Sequence, residues 1–170
     1  MTVTTTLTRG HLDHITAGIA AWNARCAEQD PGILEIQPEP AVWSIKQNTW
    51  HLADAFEATV IRLKSMLAEQ EPQLLRFDAD EWAADRDYQG RPWHEAIAKL
   101  NQQLGQLLEL CEDMSEWDLG RTGRQHNIAV NIMGRDSDVL TVADLLDFES
   151  AHVDEHTASI ELIIARFGTH

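Results

Sequence analysis

Cysteine is scarce in this chain of 170 residues, which has only two, Cys26 and Cys111. They lie in different predicted helices, and two cysteines do not make the disulfide framework that is typical of small secreted domains. Each is predicted to be a small buried apolar side chain rather than a metal ligand or a nucleophile. The first residues also lack the apolar run of a signal peptide, so we expect a reducing, cytoplasmic location.

Basic residues and long apolar runs are scarce as well. Thirteen Lys and Arg stand against 28 Asp and Glu, which gives a formal net charge of −15 at pH 7. Nucleic-acid binding depends on neutralising phosphates, and anionic membrane surfaces repel an acidic chain, so we expect neither partner. No stretch approaches the roughly 20 apolar residues of a membrane span. No glycine-rich phosphate loop follows a strand, so nucleotide binding has no support.

Apolar residues are abundant, at 44% of the chain, and they recur at helical spacing. The length predicts a single domain over residues 1–170. Spacings of three and four residues indicate amphipathic helices over about 9–27, 45–70, 92–112 and 142–167. Four such helices without convincing strand pairs predict an all-α four-helix bundle. Two connections exceed the length of a simple hairpin, so long crossover connections are expected.

Local signals fix the starts of two of these helices. Ser44 with Gln47, and Thr141 with Asp144, have the spacing of capping boxes. Gly105, inside the third predicted helix, suggests a close contact with a neighbouring helix.

The two long connections have different patterns. Residues 78–91 are rich in carboxylates and are expected to be a solvated connection, although Trp82 and Tyr88 could instead pack over the end of the bundle. Residues 115–140 contain an alternating segment, 128–132, that indicates a short strand. A connection of this length is often functional and could cover one end of a site.

Polar residues interrupt the inward stripe of the last helix. His152 and His156 are four residues apart and point the same way, and Glu149 precedes them on the same stripe. Burying these groups without partners costs several kcal/mol, so either a metal or a strong hydrogen-bond network is expected. His51, beside the apolar face of the second helix, could complete a three-histidine site with an open coordination position. Such histidine pairs also occur on ordinary helix surfaces.

The segment from His152 to His156 also fits H-x-x-E-H, the inverted zinc-protease signature. Such enzymes need a third ligand well beyond the motif, and the 14 residues that follow offer only Glu161 and His170. We therefore reject this interpretation and expect Glu155 to face solvent. The remaining histidines are expected at the surface, although His126 or Arg124 could reach the site from the long connection.

Two segments resemble a known family. The sequence W-S-I-K-Q-N-T-W-H-L-A-D at residues 43–54 resembles the W-S-x-K-x-x-x-x-H-L-x-D opening of the DinB/YfiT-like superfamily. T-V-A-D-L-L at residues 141–146, followed by His152-x-x-x-His156, resembles the last helix of that family. The resemblance covers the whole chain in order and spacing.

This resemblance implies an up-down-down-up bundle that binds a divalent metal through three histidines, which correspond to His51, His152 and His156. Zinc or nickel is expected before manganese or iron. Homodimers are common in the family. Characterised relatives include S-transferases and isomerases that use low-molecular-weight thiols such as mycothiol, bacillithiol or glutathione.

The first functional hypothesis is therefore a metal-dependent thiol S-transferase that acts on a small-molecule substrate. Glu149 is the candidate catalytic residue, either orienting a ligand histidine or accepting a proton. Arg121, Arg124 and Arg135 in the long connection could bind carboxylates of the thiol or could simply be solvated. A metal-dependent hydrolase or isomerase is the alternative, and a non-enzymatic metal- or ligand-binding bundle is a third possibility.

Overall fold

The computed structural model describes residues 6–76 and 78–168, which form a four-helix bundle with short elements in its connections. The helices and strands are α1 (Thr6–Ala27), α2 (Ile45–Ala68), α3 (Ala79–Asp85), α4 (Trp93–Cys111), α5 (Glu116–Leu119), β1 (Thr122–Arg124), β2 (Val139–Thr141) and α6 (Val142–Phe167). The long helices α1, α2, α4 and α6 are the four that the apolar spacing predicts. The predicted fold class, an all-α four-helix bundle, is confirmed.

Helices α1 and α6 run in the same direction. His14 near the start of α1 contacts Asp154, with 2.8 Å between Nε2 and Oδ1. Arg25 near the end of α1 contacts Glu161, with 2.9 Å between Nε and Oε1. Because later residues of one helix meet later residues of the other, the pair is parallel.

Helices α2 and α4 are also parallel to each other. Trp50 in the first turns of α2 shares a buried cluster with Ala96 of α4. Further along both helices, Lys99 of α4 forms ion pairs with Asp54 and Glu57 of α2.

Helices α2 and α6 are antiparallel, which completes the topology. His51 meets His152, whereas Thr59, two turns further along α2, meets Glu149, which precedes His152 in α6. One parallel pair therefore runs against the other, as an up-down-down-up bundle requires.

Both predicted capping boxes are present and set where α2 and α6 begin. The Ser44 hydroxyl accepts from the Gln47 amide at 3.1 Å, and the Gln47 side chain accepts from the Ser44 amide at 2.9 Å. Thr141 and Asp144 bond reciprocally in the same way, at 3.1 and 2.8 Å. These caps fix the start of each helix and so the face on which the histidines lie.

The connection between α2 and α4 corrects one prediction. Residues 78–91 are not merely solvated, because they contain α3 and the fully buried Tyr88. The Tyr88 hydroxyl and the Trp82 indole donate to Oδ2 of the buried Asp54, at 2.5 and 2.7 Å. The alternative in which the two aromatic residues pack against the bundle is the correct one. Its physical cause is that the buried carboxylate of Asp54 needs donors, and that need is invisible in the local charge pattern.

The connection between α4 and α6 corrects a second prediction. The expected strand at 128–132 is wrong, because Asn127–Ile132 forms a π-helical turn. Ile128 and Ala129 are both buried although they are adjacent, whereas a strand would turn them to opposite faces. The strands β1 and β2 flank this turn and pair antiparallel, with Gly123 opposite Leu140.

The close helix contact lies at Gly18 rather than at Gly105. A Cβ atom on Gly18 would lie 2.7 Å from Cγ1 of Val153, whereas no neighbouring heavy atom lies within 4 Å of a Cβ on Gly105. The absent side chain at Gly18 therefore allows α1 and α6 to approach each other, and Gly105 has no such role.

No helix within the described residues is long and apolar enough to cross a membrane.

Candidate metal centre

Three imidazoles meet between α2 and α6. Nε2 of His152 lies 2.9 Å from Nε2 of His51 and 3.0 Å from Nε2 of His156. The three candidate ligand atoms all lie within 4.8 Å of one another. The structure thus brings together the three histidines that the sequence singles out as metal ligands. In the part of the chain that the structure describes, no other group of three or more His, Cys, Asp or Glu residues has a geometry that could hold a metal.

This arrangement fits a divalent metal. Zinc–nitrogen distances of about 2.0–2.1 Å in a tetrahedral site separate the ligand atoms by about 3.3 Å. The two nitrogen pairs that include His152 therefore have to move apart by only a few tenths of an ångström to accept an ion. Three protein ligands leave a fourth position for water, thiol or substrate.

Burial favours the neutral imidazoles that bind metals. Desolvation lowers the pKa of His51 well below its ordinary value, and the neighbouring His152 and His156 lower it further. Desolvation, assisted by His152, also lowers the pKa of His156 to about 3. Because protons compete with a metal for the same lone pair, these shifts keep both ligands available at neutral pH.

Asn48 holds the outer nitrogen of His156. The Asn48 amide group donates to the carbonyl oxygens of Trp43 and Ser44, at 3.2 and 2.8 Å, so its Oδ1 is the acceptor. Nδ1 of His156 lies 2.7 Å from this Oδ1 and therefore carries the proton. The lone pair is then left on Nε2, which faces the other histidines. Sequence analysis missed Asn48, although it lies one helical turn before His51.

Glu149 lies behind His152 as Asn48 lies behind His156. Its Oε2 lies 3.4 Å from Nδ1 of His152, and its Oε1 accepts from the Thr59 hydroxyl. The carboxylate is fully buried. This placement suits the predicted orienting role, while proton transfer by Glu149 stays a prediction.

A cavity of about 360 Å³ adjoins the three histidines. Its walls come from α2 and α6 and from both long connections, so the connection after α4 does cover the site as expected. Trp43 stacks on His156 with ring centroids 6.2 Å apart, and Phe148 stacks on His152 at 5.3 Å. These aromatic walls hold the ligand rings in place and restrict access of water.

The three arginines proposed from the sequence to bind carboxylates have other partners. Arg121 donates to the Glu69 carbonyl at 2.7 Å. Arg124 forms ion pairs with Glu71 and Asp138, and Arg135 forms an ion pair with Asp144. None of these arginines lines the cavity beside the histidines. They hold the connection in place instead.

The remaining histidines and Glu155 lie where the sequence analysis expects them, as far as the structure describes them. His126 is exposed and does not line the cavity, and His94 and Glu155 are exposed. His11 and His14 face carboxylates of α6. His170 lies outside the described residues.

Arg62 lines the cavity instead, and sequence analysis missed it. Only 4% of the residue is exposed, and its Nε donates to the Leu75 carbonyl at 2.9 Å. Arg62 follows His51 by eleven residues, which is three helical turns and therefore the same face. That spacing is the signal by which it could have been found.

The comparison with protein families agrees with this fold and site. The family model described as the DinB superfamily matches residues 14–160. The chain therefore belongs to the DinB superfamily.

Two curated relatives match a shorter part of the chain than the family model does. A protein of Oceanobacillus iheyensis named "Putative metal-dependent hydrolase" is 31% identical over 80 residues, which are 47% of this chain and 46% of that protein. One of Geobacillus thermodenitrificans with the same description is 32% identical over 79 residues, or 46% of this chain and 44% of that protein. The matched region thus spans slightly less than half the length of these curated relatives.

A solved structure gives the fold over a longer range. YfiT from Bacillus subtilis, titled "a probable metal-dependent hydrolase with an unusual four-helix bundle topology", superposes with a TM-score of 0.81. The match covers 94% of this chain and 86% of that one at 18% sequence identity. At this identity the likeness establishes the shared bundle.

Proposed function

We propose that this protein is a divalent-metal-dependent enzyme whose metal is held by His51, His152 and His156 and whose substrate is a small molecule. The observation that carries this proposal is the convergence of the three Nε2 atoms beside a cavity. Three imidazole nitrogens at this spacing match the donor set that divalent metals take in proteins. Zinc and nickel are the first candidates, and manganese and iron follow.

The residues around the ligands have distinct tasks in this proposal. Asn48 and Glu149 hold the outer nitrogens of His156 and His152, and the rings of Trp43 and Phe148 keep the imidazoles in position. A divalent metal in such a site lowers the pKa of a thiol or of water, so that a nucleophile is available near neutral pH.

The first candidate reaction is transfer of a low-molecular-weight thiol to a small electrophile. The thiol loses its proton, its sulfur forms a bond to an electrophilic carbon, and the leaving group departs with the electron pair of the broken bond. Glu149, as the fully buried carboxylate nearest the ligands, is the proposed proton acceptor. The resemblance of residues 43–54 to the W-S…H-L-x-D opening supports this candidate.

Hydrolysis is the second candidate, and the names of the two curated relatives and of YfiT favour it. Water then replaces the thiol as the nucleophile. Turnover without any added thiol would favour hydrolysis, whereas a strict requirement for thiol would favour transfer.

The first test is elemental analysis of the protein purified without an affinity tag or chelator. We expect about one metal ion per chain, and none in His51→Ala/His152→Ala. His94→Ala/His126→Ala is the matched control, because it removes two exposed imidazoles, and it should keep the metal. No metal in the unaltered protein after soaking with zinc, nickel, manganese and iron would overturn the proposal.

A panel of thiols and electrophiles then separates the reactions. Stoichiometric metal without turnover in any combination would point to the third possibility, a non-enzymatic metal- or ligand-binding bundle. A homodimer and a cytoplasmic location complete the proposal, and sedimentation equilibrium tests the first of these.

A further inference from the structure

The cavity beside the histidines has a second polar region, at the height of Arg62. Eleven residues of α2 separate it from His51, which corresponds to about 16 Å along the helix axis. Arg62 is almost fully buried and lines the cavity. Its recorded hydrogen bond uses Nε alone, and among the described residues the two terminal nitrogens of the guanidinium have no hydrogen-bond acceptor. A buried cation thus offers two parallel donors to the cavity.

Gln125 is a second polar residue of the same cavity. It is 4% exposed, lines the same cavity and lies on the connection that follows β1. Its Oε1 accepts from the Ile128 amide at 3.1 Å, which identifies the other atom of the side chain as the nitrogen. That nitrogen is buried and has no hydrogen-bond partner among the described residues.

The side-chain nitrogen of Gln125 needs an explanation, because it is buried without a hydrogen-bond partner among the described residues. A buried donor without an acceptor costs about 1–3 kcal/mol, and more when it is charged. Glu149 does not supply the acceptor, because it acts on Arg62 only through a Coulombic attraction without a direct ion pair. Its oxygens already face Thr59 and His152. A ligand with acceptor oxygens in the cavity would satisfy both Arg62 and Gln125.

The charge of the ligand follows from the donors. A planar guanidinium pairs best with a planar or tetrahedral oxyanion, and such charge-assisted bonds are about twice as strong as neutral ones. Arg76, Asp78 and Asp80 also line the cavity, but all three are exposed at its rim, so solvent screens their charges. The buried charged groups of the cavity are therefore Arg62 and Glu149, and the oxygens of Glu149 already face Thr59 and His152.

We propose that Arg62 and Gln125 form an oxyanion-binding subsite, so that the substrate or thiol carries a carboxylate or phosphoryl group at the end remote from the reacting atom. Calling the ligand a substrate rests on the proposed function, whereas the subsite itself does not require the metal. The separation along α2 implies an extended molecule that reaches from the histidines to Arg62. Binding at both ends would fix its position for reaction.

The test follows the side-chain amide signals of Gln125 in ¹H–¹⁵N NMR spectra during titration with propionate, inorganic phosphate or propionamide. Gln125→Glu assigns these signals by removing them. In the metal-free protein, we expect propionate or phosphate to shift them with a dissociation constant of about 1 mM, which is reasonable for a fragment. The tighter of the two anions identifies the group. Equal shifts with the neutral propionamide would overturn the anionic character of the subsite.

The variants are chosen to keep the fold. Gln125→Glu retains the acceptor for the Ile128 amide but replaces the donor with a carboxylate, and Arg62→Lys keeps the charge but loses the two parallel donors. Both variants should weaken anion binding by about tenfold or more. Binding to Arg62→Lys is measured from the Gln125 side-chain signals. Binding to Gln125→Glu, which lacks those signals, is measured from neighbouring backbone amides. Arg166→Gln, which removes an exposed arginine at the end of α6, should bind as the unaltered protein does. Unchanged binding in both cavity variants would overturn the proposal.

Measuring metal binding in the same samples separates the two proposals. Stoichiometric zinc without anion binding would overturn the subsite and leave the proposed function intact. Anion binding without stoichiometric zinc would overturn the proposed function and leave the subsite intact. Repeating the titration with the zinc-loaded protein detects any anion that binds at the metal instead, because its effect would be absent from the metal-free protein.

Discussion

At the scale of single residues, the outer nitrogen of each ligand histidine determines what its inner nitrogen can do. Oδ1 of Asn48 accepts a hydrogen bond from Nδ1 of His156, so Nε2 presents its lone pair to the site. A ligand histidine without such a partner samples both tautomers and more ring orientations. The quality of the candidate metal site therefore depends also on residues, such as Asn48, that would not touch a bound metal.

Replacing Asn48 with alanine tests this dependence. We expect zinc affinity to fall by about 10–100-fold, as is usual when the partner of a ligand histidine is removed. Competition with a chromophoric chelator measures the change. Asn23→Ala is the matched control, because the Asn23 side chain in α1 donates to Asn101 of α4 and contacts none of the three histidines. Equal affinities in the two variants would show that Asn48 does not position His156.

The two cysteines are buried apolar side chains, as their scarcity and position predict. Burial raises the pKa of Cys111 to about 12, and burial together with the charge of Glu161 raises that of Cys26 to about 12. Both thiols are therefore protonated and inaccessible, which is the unreactive condition. Neither is available as a nucleophile of the reaction.

Thiol labelling checks this conclusion. At about pH 8 a disulfide reagent should modify neither cysteine in the native protein and both in guanidinium chloride. Because the pKa values are raised by folding, the thiols ionise first in the unfolded chain. The free energy of unfolding should thus decrease as pH rises above about 9, and less so in Cys26→Ala/Cys111→Ala. Rapid labelling of the native protein would contradict the burial of the thiols.

At the scale of secondary-structure elements, close approach of α1 and α6 depends on one residue without a side chain. Gly18 faces Val153, the neighbour of His152 in sequence. Elsewhere the elements are joined by polar contacts, such as the bonds from α3 and its following turn to Asp54. The position of the three histidines therefore depends on apolar packing of α1 against α6 and on buried hydrogen bonds to α2.

A pair of glycine substitutions distinguishes packing from helix propensity. Gly18→Ala should lower the free energy of unfolding by about 1–3 kcal/mol, because the added methyl group cannot fit against Val153 without movement of α6. Gly105→Ala should raise it by about 0.5–1 kcal/mol, because its surroundings are open and alanine favours the helix. Urea unfolding of both variants gives the two values. Changes of the same sign would contradict the packing at Gly18.

At the scale of the whole molecule, the candidate metal would join two helices that are far apart in sequence. His51 belongs to α2 and the other two ligands to α6, so a bound ion would link the second and fourth long helices of the bundle. An ion that binds only the folded chain stabilises it in proportion to the logarithm of its concentration. Metal binding would thus also raise the free energy of unfolding.

Thermal unfolding with and without zinc tests this coupling. At a free zinc concentration about 100 times the dissociation constant, the native state should gain about 2.7 kcal/mol, which raises the midpoint temperature. His156→Ala should lose the gain, and His94→Ala/His126→Ala should keep it. An equal rise in all three proteins would mean that zinc stabilises the fold from another place.

Features that depend on residues close together in sequence could be predicted from the sequence, whereas features that depend on residues far apart required the tertiary structure. The sequence by itself determined the four long helices, their two capping boxes and the alignment of His152 with His156, because each depends on residues within a few positions of one another. It also identified His51 as the third histidine of the group. The predictions of a solvated connection at 78–91 and of a strand at 128–132 were wrong. At both places, contacts with residues distant in sequence outweigh the local pattern of charge and alternation.

Only the tertiary structure decided which polar groups meet inside the bundle. Asn48 lies behind His156, Arg62 and Gln125 line one cavity, and the arginines of the long connection bond away from it. Each of these facts requires side chains from separate elements to be placed within hydrogen-bond distance or around one space. Such placement is fixed by how whole helices pack, because a buried donor or acceptor finds its partner only after the core has formed.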